Sequence, residues 1–130
     1  MHKKKTIVLA SASPRRKELL MLMGLKFDVD PGDYKEDMTL NLSPHKLTRF
    51  LSLEKAKAVA QKNNNAIIIA ADTVVVIEAQ ILGKPHTEEE ARRMLLLLQG
   101  KTHSVITGFT ILDSKTGKKI AKNMSKQKNL

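Results

Sequence analysis

The sequence predicts an α/β domain built on a single sheet, and three observations carry that expectation. An apolar strand pattern over residues 6–10 runs through small residues straight into a helix start. Further strand and helix patterns then alternate down the chain, as a layered α/β domain requires. A length of 130 residues with 42% hydrophobic content suits one domain with its own core and is too short for two.

Taken in order, the strand at 6–10 ends in Ser11-Ala12-Ser13, and Pro14 opens a helix over 14–23. Ser13 can cap the orphan amides, Pro14 suits the first helical position, and Gly24 supplies the stop. Leu19, Leu20 and Met23 share one face of this helix. Arg15 and Arg16 sit on its first turn, so open amides, a positive dipole end and two guanidinium groups together make an anion site. The same residues also fit a plain strand-to-helix turn, because paired arginines are usually just solvated. A P-loop is excluded: there is no glycine run and no Gly-Lys-Ser/Thr.

Residues 27–29 suit a short strand leading into an irregular acidic stretch with Asp30, Asp33, Glu36 and Asp37. Carboxylates beside a phosphate site can hold Mg²⁺, although most such loops are merely solvated. Ser43-Pro44 repeats the cap-and-proline start, and the helix running to about residue 61 sets Leu47, Leu51, Lys55 and Val59 on one stripe. Lys55 therefore either snorkels out of a core face or points into a site as a phosphate partner. Residues 66–77 are apolar except for Asp72-Thr73, the pattern of a strand buried on both faces. A carboxylate there is costly unless it is paired, bound to a cation or placed at a cleft, so Asp72 marks either a site or a structural bend.

Glu78-Ala79-Gln80 reads as a hairpin turn back to Ile81-Leu82, and Lys84 follows between Gly83 and Pro85, two conformationally special positions. Thr87 with Glu90 forms a capping box, after which Ala91, Met94, Leu95 and Leu98 suggest a core-facing helix stopped by Gly100. Residues 101–112 are rich in Val, Ile, Thr and Phe, the composition of a strand, with Thr107-Gly108 marking a bulge or a close approach. Residues 114–117 turn the chain and 118–120 begin a partner strand. Residues 121–130 are polar, basic and without periodicity, so the domain is expected over 1–120 with 121–130 a disordered tail. That division leaves the edge of the 101–112 strand uncovered and predicts one of two outcomes, pairing with a second copy as a homodimer or a poorly soluble, weakly active monomer.

The net charge of +10 collects at the chain ends, on Lys3, Lys4 and Lys5 and on Lys115, Lys118, Lys119, Lys122, Lys126 and Lys128. The middle is close to balanced and aromatic content is only 3%, so specific nucleic-acid binding is not expected. There is no cysteine, which rules out disulfides and thiolate metal sites and suits the cytoplasm. The apolar run at 7–10 is too short for a signal peptide's core, and no stretch is long enough to span a bilayer.

Several of these pieces stand in one order: Ser11-Ala12-Ser13-Pro14-Arg15-Arg16, Glu54-Lys55-Ala56, Ala71-Asp72-Thr73-Val74-Val75, Gly83-Lys84-Pro85, Gly100-Lys101-Thr102-His103 and Thr107-Gly108. In that order, from about residue 6 to 112, they resemble the Maf family of nucleoside triphosphate pyrophosphatases, also called septum formation inhibitors. The resemblance implies an α/β fold, a mixed twisted sheet flanked by helices around a nucleotide cleft, and metal-assisted hydrolysis of a nucleoside triphosphate to the monophosphate and pyrophosphate. By position it implies Asp72 as general base, and Ser13, Arg15, Lys55 and Lys84 as phosphate ligands. Arg15 and Thr73 fall at specificity positions, and Glu36 and Asp72 where Mg²⁺ or Mn²⁺ would be held. Ala71-Asp72-Thr73 is similar to the branch acting on dTTP and UTP. The family continues beyond the last strand with further helix and sheet, so the resemblance also implies that the C-terminal part is missing here. A competing expectation is therefore a catalytically weak fragment that binds a nucleotide or a protein partner.

Overall fold

The computed structural model describes residues 5–35 and 40–129. In chain order the elements are β1 (Thr6–Ala10), α1 (Pro14–Leu22), β2 (Asp28–Val29), α2 (Pro44–Ala60), β3 (Ala66–Ile77), β4 (Gln80–Leu82), α3 (Glu88–Leu98), β5 (Thr102–Asp113) and β6 (Lys119–Asn129). β1 pairs in parallel with β2 and β3, whereas β3 runs antiparallel to β4 and β5, and β5 antiparallel to β6. The result is the expected mixed sheet, in the order β2-β1-β3-β5-β6 with β4 attached to β3. The two parallel connections, β1-α1-β2 and β2-α2-β3, travel in opposite directions across the sheet. Right-handed crossovers therefore place α1 and α2 on opposite faces.

The core lies between α2 and one face of the sheet. Leu47, Leu51, Ala56 and Val59 are fully buried on α2, and Ala56 and Val59 cluster with Val8, Ala10, Ala66, Ile68 and Ala70 from β1 and β3 and with Leu112 near the end of β5. Burying each of the larger side chains is worth roughly 1.5–3 kcal/mol, so this one interface supplies much of the fold's driving force. Helix and sheet approach so closely that a Cβ on Gly108 would lie 2.3 Å from the Thr48 carbonyl carbon. The Thr107-Gly108 signal thus marks a close approach. Ser52 and Thr110 satisfy each other's buried hydroxyls across the same interface at 2.7 Å. From Ala66 to Val75, β3 is buried in alternation on the α2 side only and half-exposed on the other, and the alternation breaks at the buried Ile77, so the expectation of two buried faces is corrected.

The local signals of helix starts are realised. Ser13, Ser43 and Thr87 accept from the amides of Arg16, Lys46 and Glu90, and Glu90 Oε2 reaches back to the His86 amide at 2.8 Å. Glu78 and Ala79 both take positive φ, 49° and 62°, the geometry of a two-residue hairpin turn between β3 and β4. Expectations of helix burial fare differently. α1 buries none of its residues and α3 buries only Leu98, leaving Leu22, Leu95 and Leu96 exposed. An apolar helical stripe states what a helix could bury, and neither stripe has the close sheet contact that α2 has.

The second correction concerns the C-terminal end. Residues 119–129 form β6, paired along the whole of β5 from Leu112↔Lys119 to Thr102↔Asn129, where a disordered tail was expected. The edge of β5 is consequently covered, and β6 is the edge strand. Its polar composition hid it, because an edge strand needs only one neighbour and lysines are common there. Asn123 ties it down, its Nδ2 donating to Thr48 Oγ1 at 3.0 Å, His45 O at 3.1 Å and Thr107 O at 3.3 Å. At the far end of β5, Asp113 pairs with Lys5 and accepts from the amides of Lys115 and Thr116. The Lys5 hydrogen bond is the main reason its carboxyl is lowered from 3.8 to about 2, against a smaller opposing effect of burial. Among the described residues no helix is long and apolar enough to cross a membrane.

Candidate active site

One edge of β3 is shared by two shorter strands that do not meet. β1 covers it up to Ala10↔Ala70, and β4 takes over at Leu82↔Val75. Residues 71–74 lie in the gap, paired only with β5 on their other edge. The turn at Ser11–Ser13 leaves β1 at one side of this gap, and Gly83-Lys84-Pro85 leaves β4 at the other. The gap also stands at the carboxyl end of β1, where the connections diverge to opposite faces, the position at which open α/β sheets hold ligands.

Within the gap, β3 presents two polar side chains to opposite faces. Asp72 points to the α2 side, only 6% exposed, and its Oδ1 accepts from Lys55 Nζ at 2.9 Å. The stripe that held Lys55 among core leucines in the sequence thus delivers it to the carboxylate. The half-buried ammonium compensates the buried carboxylate, which would be costly to bury alone. Thr73 points to the other side, where Arg16 Nη2 donates to its Oγ1 at 2.8 Å and Thr107 Oγ1 lies 2.9 Å away. Arg16 comes from the first turn of α1, so both faces of the sheet send a cation to the same short segment.

The remaining sequence candidates are less closely gathered. Ser13 is the N-cap of α1, and Ser11, itself buried, orders the turn by accepting from the Ser13 amide at 3.0 Å. Arg15 is exposed on the first turn, and it is its neighbour Arg16 that touches β3. Lys84 is exposed just beyond β4 and lines a shallow groove of about 380 Å³ with Ile81, Arg93 and Leu97, away from the Lys55–Asp72 pair. Glu36 lies outside the described residues. Among the described residues no group of three or more His, Asp or Glu side chains could enclose a metal ion. Asp72 nevertheless fits a Mg²⁺ or Mn²⁺ held jointly with a substrate, since Mg²⁺ commonly uses one or two carboxylates plus phosphate oxygens. Sequence reasoning placed Arg16 with Arg15 in an anion site but not its contact with Thr73, and it gave Thr107 no role in the site. Only the Arg-Arg pair and the Thr-Gly step pointed towards them.

The model of the Maf-like protein family matches residues 6–129. The chain belongs to that family. Members similar to it include proteins named dTTP/UTP pyrophosphatase from Bacillus cereus (strain ATCC 10987 / NRS 248), 49% identical over 108 residues, covering 83% of this chain and 53% of that protein. Another, from Bacillus thuringiensis subsp. konkukian (strain 97-27), is 49% identical over 106 residues, covering 82% of this chain and 56% of that protein. The chain spans about half the length of the curated relatives it matches. Among solved structures, a HAM1 protein from Coxiella burnetii superposes with a TM-score of 0.69 at 16% identity, over 97% of this chain and 73% of that one. The Staphylococcus aureus Ham1 protein does so with a TM-score of 0.60 at 15% identity, over 96% and 71%. At such identities these two likenesses speak for the fold alone.

Proposed function

We propose that this Maf-like chain hydrolyses nucleoside triphosphates, dTTP and UTP among them, to the monophosphate and pyrophosphate. The observation that carries the reading is the Lys55–Asp72 pair set in the gap at residues 71–74, with Arg16 reaching the same segment from the opposite face. The names of the Bacillus relatives support the substrate class. Arg16 and Lys55 bring positive charge to the gap for the phosphates, Arg15 and Lys84 add charge from exposed positions on either side of it, and Ser13 places the amide end of α1 nearby. Asp72 orients a water on the α-phosphorus and takes its proton. The water oxygen bonds to that phosphorus, and the bond to the oxygen bridging to the β-phosphorus breaks, releasing pyrophosphate with the electron pair. Lys55 keeps the Asp72 carboxylate in place for this step. A Mg²⁺ or Mn²⁺ ion, held by Asp72 and the substrate, would supply further stabilisation of phosphate charge. Arg15 and Thr73 are the specificity positions in this reading, the cytoplasm is its setting, and a homodimer its assembly.

The test is to incubate the purified chain with each common nucleoside triphosphate and Mg²⁺ or Mn²⁺, assaying pyrophosphate. Release with dTTP and UTP above the purine nucleotides is expected. Nucleotide binding without turnover would replace this reading with that of a binding fragment.

A further inference from the structure

The proposed phosphate cation Arg16 is part of a chain of contacts that the mechanism above does not explain. Its Nη2 donates to Thr73 Oγ1 at 2.8 Å, and Thr73 Oγ1 is bonded in turn to Thr107 Oγ1 at 2.9 Å. A guanidinium can only donate, so Thr73 spends a lone pair on Arg16 and shares its other hydrogen-bonding capacity with Thr107. Bonds in such a chain polarise one another. Thr107 in turn is unusually well fixed. It stands directly across the ladder from Thr73, its carbonyl accepts from Asn123 of β6 at 3.3 Å, and its neighbour Gly108 abuts the backbone of α2.

We propose that Thr107 is a positioning residue: through Thr73 it holds the Arg16 guanidinium plane in the orientation in which it meets a polyphosphate. The proposal rests on the pyrophosphatase reading for its consequence in catalysis, but the ordering of Arg16 stands without it. Arginine's fork is rigid, so fixing one Nη aims the rest. β5 and β6 thereby act on a site to which they contribute no charged group. A plain cross-strand threonine pair would do something different: it would add stability and leave ligand affinity alone.

The decisive experiment compares the full chain with Thr107→Val and Thr107→Ser. The Arg16 side-chain ¹⁵N–¹H signals are followed during titration with inorganic tripolyphosphate, and KM and kcat are measured with dTTP and Mg²⁺. In Thr107→Val, Arg16 is expected to exchange faster with water, tripolyphosphate affinity to fall and KM to rise about tenfold, and kcat to stay within about twofold, with Thr107→Ser restoring the first three. Thr107→Ala removes the same hydroxyl and decides the matter should the valine variant not fold. Unchanged Arg16 signals and KM in the variant lacking the hydroxyl would overturn the proposal, as would a loss that serine does not restore. A wild-type chain that turns over no nucleotide overturns the enzyme reading, while the Arg16 signals and the tripolyphosphate titration still decide the role of Thr107.

Discussion

At the scale of single residues, Asp72 is the position where structural and chemical demands coincide. Asp72→Asn keeps the shape and one acceptor for Lys55 but removes the proton acceptor and the charge. Turnover of dTTP is expected to fall by about 10²- to 10⁴-fold, with a loss of only about 1–3 kcal/mol in urea unfolding. Near-wild-type turnover would make Asp72 purely structural. Asp72 is legible in the sequence because a carboxylate inside an apolar strand has few permissible explanations, and Lys55 because it sits on a core stripe. Arg16 is not legible in that way. Adjacent residues on a helix point about 100° apart, and nothing local says which of Arg15 and Arg16 faces the sheet. Thr107 is hidden for another reason, since threonine is an ordinary strand residue until its partner across the ladder is known. A further residue-scale expectation concerns Asp113. Its carboxyl is held at about 2 in the folded chain, below the unfolded value, so its contribution to stability is present at neutral pH and lost as pH falls from about 4 to about 2. Asp113→Asn should therefore lower the melting temperature at pH 7, and the difference from wild type should shrink as pH falls below about 4 and vanish only below about pH 2.

At the scale of elements, the capped starts of α1, α2 and α3, the long buried-face strand β3 and the β3–β4 hairpin are all legible, because each rests on contacts within a few residues. β6 is not, because its existence depends on a long-range partner: eleven residues of β6 without apolar periodicity become a strand by lying along β5. The burial of α1 and α3 fails for the converse reason, since an amphipathic pattern does not guarantee a neighbour to bury against. α2 and β5 offer the sharpest test of element packing. In Gly108→Ala the added Cβ meets backbone atoms of Thr48 and Arg49 at 2.3–2.4 Å, and these cannot rotate away. A loss of about 3 kcal/mol or more is expected, the upper end of overpacking, read as a lowered urea midpoint. Gly117→Ala is the control. Its φ of 78° strains an alanine, but nothing lies within 4 Å of the new Cβ, so about 1 kcal/mol is expected. Equal costs at the two glycines would mean that α2 does not press on β5 as described.

At the scale of the whole molecule, the sheet is unequally covered. α2 seals one face, whereas on the other Ile111, Ile120 and Met124 are 38%, 53% and 64% exposed. The register Ile111↔Ile120 and Thr107↔Met124 puts all three on the side away from Gly108 and α2, Ile111 beside Ile120 and Met124 two same-face positions further along β6. The same alternation sets Lys122, Lys126 and Lys128 on that face. The proposed homodimer therefore rests on a different surface from the one expected: the β5 edge is taken by β6, and the face proposed in its place carries apolar side chains interspersed with lysines. Burying it against a second copy brings like charges together, so attraction and repulsion oppose each other there. Salt separates them, because the Debye length shortens from about 30 Å at 0.01 M to about 8 Å at 0.15 M while apolar burial is not weakened. Light scattering should accordingly show a monomer at low ionic strength and a growing dimer fraction between 0.01 and 0.5 M NaCl, written as about a tenfold tighter self-association. Met124→Lys should abolish that growth by replacing an exposed apolar side chain of the face with a third charge in the row Lys122, Lys126. A chain that stays monomeric at every salt concentration, or dimerises most strongly at the lowest, would show that this face is not the contact.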